Sequence, residues 1–331
     1  MFRLLPLAGA RLAIVSLALC PQVLAAAQSS ESYRVVSSSE STFQGEIDLA
    51  AADGYRLITG DASVEVTIWQ RATDNVRRSY AFAPDIERFL KEGKLKAGFR
   101  LVPSTFAADE LWFSAVFEKV EGDDQPRSYG LVKARSSGGL RKRFEEGVEG
   151  SAGVVAIASG QPGAAAIYER TADERRAAII ASGKSGTIKQ EVQAAASRRQ
   201  CIVDADGVEE AVYVVSACAA GGAARDYDVI ATTKTDTFER ELNAAAARGM
   251  RLVPQALLGI EKRLLVGAAY NNEVVGIIEK SADAAPVTYR VLGTVRVSTL
   301  EKELQNAAND GFTLIAFTLG PKEAVAVLEK R

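Results

Sequence analysis

The side chains that most often do chemistry are scarce in this chain. Histidine is absent from all 331 residues. That excludes Ser-His-Asp and Cys-His catalysis and every His-ligated metal site. Three cysteines are present, Cys20, Cys201 and Cys218. Arg56, Arg100 and Arg251 occupy one position in a recurring phrase. As a set they could offer cations to an anionic ligand; singly, each could pair across strands with an acid such as Glu118 or Glu279. Asp204-Ala-Asp206-Gly207 opens like a calcium loop, but the later oxygen ligands are not at the required spacing. Gly183-Lys184-Ser185 resembles the end of a phosphate loop, yet Ala178 stands where that loop needs a glycine. The 42 acids include no pair singled out for glycosidase chemistry. No catalytic residue, metal site or cofactor is therefore assigned.

Lys and Arg total 40 against 42 acids, so the chain lacks the basic balance of a nucleic-acid binder. Residues 1–27 read as a secretory signal. Arg3 and Arg11 precede or open the apolar run Leu12–Cys20, Pro21 breaks it, and small residues suited to cleavage follow. The run is too short to span a membrane, and no later stretch reaches that length without charges. Leu17-Ala-Leu-Cys20 is close to a lipoprotein box, although Leu19 is larger than such a box prefers. Cleavage removes two arginines and no acid, taking the net charge from −2 to −4. The expected location is periplasmic or secreted. In that oxidising setting Cys201 and Cys218, which flank a hairpin over 202–217, are expected to form a cross-strand disulfide.

The elements that must hold these residues repeat. Gly54-Tyr-Arg-Leu-Ile58, Gly98-Phe-Arg-Leu-Val102, Gly249-Met-Arg-Leu-Val253 and Gly311-Phe-Thr-Leu-Ile315 share one pattern. A tyrosine opening a β-like run precedes each glycine: Tyr33, Tyr80, Tyr227 and Tyr289. Two weaker copies begin at Tyr129 and near Ala178. The units predicted are 32–71, 79–119, 128–170, 176–218, 226–280 and 288–331. Between tyrosine and glycine, apolar residues such as Leu300, Leu304, Ala307 and Ala308 make one helical face. Ser41, Gly186, Asp236 and Ser298 are the expected N-caps, and the glycines the expected helix stops. In the fourth unit Arg199 stands at that glycine position.

Each unit then continues with two strands, the last ending in an apolar residue, Glu and a base, as in Ile278-Glu-Lys280 and Leu328-Glu-Lys330. Several third strands, such as Val274–Ile278 and Ala324–Leu328, are nearly continuous apolar runs, so both sheet faces should be covered. Val64–Ile68 alternates instead, which suggests an exposed face or end cap in the first unit. The fold class expected is α+β: about six tandem strand-helix-strand-strand repeats, their sheets packed face to face with helices outside, in pairs or around a closed ring.

Tyr289-Arg-Val291, Leu304, Gly311-Phe-Thr-Leu-Ile315 and Leu328-Glu-Lys330 together resemble a small bacterial family of unknown function, domain of unknown function 4177. Tyr227, Leu242-Asn243, Gly249-Met-Arg-Leu-Val253 and Glu279-Lys280 match the same motif in order. The family's tryptophan after glycine is replaced here by Tyr55, Phe99, Met250 or Phe312. The resemblance implies a fold, as six divergent copies, and no activity.

The repeated residues are caps, core positions and turns. The functional expectation is accordingly a non-enzymatic binding or scaffold protein of the bacterial cell envelope, with a protein or small molecule as partner. Two other readings stay open: a carrier of a small apolar ligand between sheets, and a histidine-free carboxylate-based hydrolase.

Overall fold

A computed structural model describes residues 32–147, 152–160, 162–170, 177–182, 185–207, 211–217, 225–263, 270–281, 285–319 and 323–331. The proposed signal segment with Cys20, the phosphate-loop residues Gly183 and Lys184, and Cys218 lie outside them.

The fold is mixed α and β, with six helices and small antiparallel sheets among the described residues. In chain order it starts with β1 (Tyr33–Ser37), α1 (Glu40–Ala52), β2 (Tyr55–Asp61) and β3 (Val66–Arg71). There follow β4 (Arg78–Ala83), α2 (Ile86–Lys91), β5 (Phe99–Leu101), β6 (Ala107–Ala108) and β7 (Phe113–Val120). Next come β8 (Tyr129–Ala134), α3 (Ser137–Gly147), β9 (Ala152–Gly160) and β10 (Gly163–Arg170), then β11 (Ala177–Ser182), α4 (Ser185–Ser197), β12 (Gln200–Gly207) and β13 (Ala211–Ala217). The chain ends with β14 (Tyr227–Thr232), α5 (Thr235–Ala247), β15 (Met250–Arg263) and β16 (Tyr270–Lys280), then β17 (Thr288–Thr294), α6 (Val297–Asn309), β18 (Thr313–Leu319) and β19 (Ala324–Lys330). The strand order β1-β3-β2 recurs as β8-β10-β9, β11-β13-β12, β14-β16-β15 and β17-β19-β18; the second sheet, β4-β7-β5, adds β6 on β7. The unusual length of the predicted fifth unit is taken up by its long hairpin, β15 and β16.

The helices begin earlier than their sequence caps indicate. Ser39, Lys234 and Arg296 are the N-caps of α1, α5 and α6, and Ser41, Asp236 and Ser298 fall inside the first turn. The strand-to-helix connections are only a few residues long, so the chain must start coiling at once. Asp236 then contributes as an acid at the positive end of the helix dipole. Three stops are as expected: Gly54, Gly249 and Gly311 follow the C-caps with φ of 83°, 78° and 86°, whereas α2 ends at Lys91 and is followed by Gly93 rather than Gly98. Arg199 adopts the same left-handed region at φ 58°, which costs a side-chain-bearing residue on the order of 1 kcal/mol.

The buried clusters run from one sheet to the next. One contains Phe238 and Leu242 of α5, Leu252 and Ile278 of its own sheet, and Tyr289, Val325 and Val327 of the next sheet. Another joins Phe43 and Ile47 of α1 to Tyr80, Phe82 and Val116 of the second sheet. A third joins Leu300 and Leu304 of α6 to Tyr33 and Ile68 of the first sheet. Each of these helices is thus shared between two sheets. That is why the central strands are apolar on both faces. The first sheet is no exception: β3 begins at Val66, and Val66, Thr67, Ile68 and Trp69 are all buried. Val64, which created the apparent alternation, belongs to a short 3-10 turn, Ala62–Val64.

The recurring tyrosines join one sheet to the next. A β-bulge lies beside each of Leu57, Ile202, Leu252 and Leu314. The N–H groups of these residues donate to the hydroxyls of Tyr80, Tyr227, Tyr289 and Tyr33 on other sheets, at 2.8–3.3 Å. Leu101 donates likewise to Tyr129. A bulge leaves a backbone donor without its ladder partner, and a buried orphan donor costs on the order of 1–3 kcal/mol. The tyrosines stand opposite the recurring acids, Tyr80 against Glu118 and Tyr289 against Glu329, and the Tyr80 hydroxyl donates to Glu118 at 3.0 Å. The helices cover the open strand edges with polar side chains. Asn243 exchanges two hydrogen bonds with the backbone of Tyr289, Glu239 accepts from Val291 N–H, and Gln44 brackets β4 in the same way. At the chain's end, Glu301 accepts from Val35 N–H and Gln305 from Ser32 N–H.

Candidate functional site

The second strand of each sheet, or the turn beside it, reaches one cavity of about 690 Å³. Its wall includes Ile58–Asp61 from β2, Phe106 and Ala107 beside β6, Ser159 from β9, Asp204–Gly207 from β12, Leu257 from β15, and Ile315–Leu319 from β18. The bulges bend these strands where they meet the wall. Among the described residues, the acids Asp61, Asp204, Asp206 and Glu323 line the wall and no lysine or arginine does.

The three aspartates have defined surroundings. Asp204 accepts from Ile157 N–H at 2.9 Å, and Asp206 from Ser159 N–H at 2.6 Å. These bonds tie β12 to β9, at the one place in the series where the following sheet has no first-strand tyrosine. Asp61 accepts from the N–H and hydroxyl of Ser63 at 2.9 and 2.5 Å. Burial pushes all three carboxyls upward: Asp206 to about 6, Asp204 well above the usual range, and Asp61 in the same direction. The charge of Asp61 adds to the effect on Asp206. Backbone N–H groups oppose it by stabilising the ionised form.

The recurring arginines lie elsewhere. None of Arg56, Arg100 and Arg251 lines this cavity. Arg100 holds Glu118 through Nε and Nη2 at 3.0 and 2.6 Å. Arg56 donates to Gln70 at 3.1 Å. Arg251 donates to the carbonyls of Met250 and Ala285, while Glu279, opposite it in register, is held by Arg225 at 2.6 Å. The cross-strand acid pairing is therefore made by Arg100. Cys201 pairs in register with Ser216, and the other cysteine of the expected disulfide lies outside the described residues.

No protein-family model matches the chain, and no curated protein matches it. The site thus has to be read from its own chemistry. Asp61 and Asp206 fall at equivalent places after the bulge: Leu57 and Ile202 both donate to a tyrosine hydroxyl, and the aspartates follow four residues later. The available sequence signal was Asp-x-Asp alternation inside a second strand, which calcium-loop spacing alone does not interpret. Among the described residues, no three acidic or cysteine side chains converge to hold a metal ion, and no helix is long and apolar enough to cross a membrane.

Proposed function

We propose that this is an exported, non-enzymatic binding protein whose six strand-helix-strand-strand units close into a ring around the cavity, and that the cavity takes a small organic cation. The observation that carries this reading is the wall itself: strands or turns of all six sheets contribute, and among the described residues it holds four acids and no base. Closure is supported by three bonds: Leu314 N–H donates to the Tyr33 hydroxyl, Val35 N–H to Glu301 and Ser32 N–H to Gln305. Export is supported by the signal-like residues 1–27, and the periplasm or the exterior is the proposed location. The units are proposed as divergent copies of the domain of unknown function 4177 type. A purely apolar cargo fits less well, since burying it against carboxylates would strip them of water without offering a hydrogen bond. A hydrolase is disfavoured because Asp204 and Asp206 are already engaged by backbone donors.

Calorimetry with putrescine, and with 1,4-butanediol as the neutral analogue of similar size, tests the cavity. Putrescine should bind at pH 8, bind about tenfold more weakly to Asp206→Asn, and release at pH 4 as the carboxyls protonate. Equal binding of the diol, or putrescine binding unchanged by Asp206→Asn, would refute the assignment. The same reading keeps Cys201–Cys218 as a disulfide stabilising the fourth unit. Alkylation of exported protein before reduction should find neither thiol free; two labelled thiols would remove it.

A further inference from the structure

A second concave surface lies outside this cavity, where the first two sheets meet. The turn Ala62–Val64 packs against β6 and β7, and the groove beside it has a volume of about 490 Å³. Glu40 at the start of α1, Glu65, Asp109, Phe89 and Trp112 line it. The hairpin tip projects apolar side chains into solvent: Leu111 is 70% and Trp112 51% exposed, and Val64 on the adjoining turn is 47% exposed. Asp109 fixes this tip by accepting the N–H groups of Leu111 and Trp112. Large apolar side chains presented together on a rigid tip mark an interaction surface.

The charge beside them selects the partner. Among the described residues Glu40, Glu65 and Asp109 have no ion pair, whereas the two bases on the opposite wall, Arg88 and Lys94, are both held by Glu92 at 2.7 and 2.6 Å. Partial burial pushes the Glu65 carboxyl up, and the charges of Glu40, Asp109 and Asp61 push it further. A cation entering the groove would relieve that repulsion. On the far side of Trp112 the bases are mostly committed, Lys133 to Glu87 and Arg143 to the carbonyl of Lys133. Arg135 stands there too, which confines the negative region to the Glu65 side of the tryptophan.

We infer that this groove docks a basic amphipathic segment of a partner protein, with Leu111 and Trp112 covering its apolar face and Glu40 and Glu65 receiving a lysine or arginine. Aromatic anchors with complementary charge at the rim are the arrangement that carries binding energy at protein interfaces. A tryptophan face is also a platform for a cation.

The probe is a short synthetic peptide with lysine and leucine at helical spacing. Trp112 reports its binding, because the second tryptophan, Trp69, is fully buried and donates to Thr67. The peptide should shift the Trp112 emission to the blue and protect it from iodide quenching. Calorimetry should show affinity falling about tenfold in Glu40→Gln/Glu65→Gln and about tenfold in Trp112→Ala. Glu40 and Trp112 are exposed and Glu65 is half-buried, so an unchanged melting temperature certifies the variants. The proposal is overturned by an unresponsive Trp112, by variants that bind like wild type, or by equal binding of a glutamate-for-lysine peptide. Decalysine binding as tightly would reduce the effect to bulk charge, and anionic vesicles binding as tightly would assign the surface to membranes; either result also overturns it.

Discussion

Asp206→Asn should make the protein more stable than wild type at pH 8 and leave it little changed near pH 4. Desolvation in the wall pushes the native carboxyl up to about 6, whereas in the unfolded chain it titrates near 3.9. Below the unfolded value both states are protonated, and the neutral acid sits in the wall at little cost. As pH rises through about 6, the native state has to carry a buried charge, and that part of the stability is lost. About two pKa units correspond to about 3 kcal/mol. Asparagine keeps an oxygen for the Ser159 N–H but never ionises. Urea unfolding of both proteins from pH 4 to pH 8 measures the difference directly. A gap that does not widen with pH would mean that Asp206 is solvated and that the cavity wall is wetter than described. Asp204 is raised partly by the charge of Asp206, so its relief in the variant adds to the gain at high pH.

Phe238→Ala should lower the unfolding free energy by about 3–5 kcal/mol, the usual cost of emptying a phenylalanine site in a core. Phe238 is completely buried. Its ring lies against Gly276, where a Cβ would come within 2.7 Å of Cζ. It packs in one cluster with Leu252 of its own sheet and Val327 of the next. The resulting void would therefore loosen two sheets at once, and backbone N–H groups in both β16 and β19 should exchange faster. A loss below about 1 kcal/mol in urea, with exchange disturbed in one sheet only, would argue that the sheets do not share that core.

Much of the local structure could be read from residue types, because it depends on near neighbours. The glycines after the first, fifth and sixth helices, the helical apolar stripe and the apolar third strands appear where their spacing puts them. The N-caps were displaced by two residues, since the short loops from strand to helix outweigh the capping preference of Ser41 or Ser298. The role of the tyrosines was hidden for another reason. Their partners are backbone N–H groups freed by bulges in a different sheet, and a bulge is a property of register rather than of composition. The same holds for Asp61 and Asp206: nothing near them in sequence shows that β2 and β12 reach a common cavity. The recurring arginines were conspicuous because they repeat, yet their surroundings differ, with Gln70, Glu118 and two carbonyl oxygens as the respective partners.

The proposed closure of the six units depends on contacts between the two ends of the described chain, and one amide reports it. Leu314 N–H donates to the Tyr33 hydroxyl at 2.8 Å, across 281 residues of sequence. Hydrogen exchange followed residue by residue should find Leu314 protected in wild type to the same degree as Leu57 and Leu252, which have tyrosine partners of the same kind. In Tyr33→Phe, Leu314 should exchange faster while Leu57 and Leu252 keep their protection. Fast exchange at Leu314 in wild type, or protection there that survives Tyr33→Phe, would contradict a ring closed by this contact.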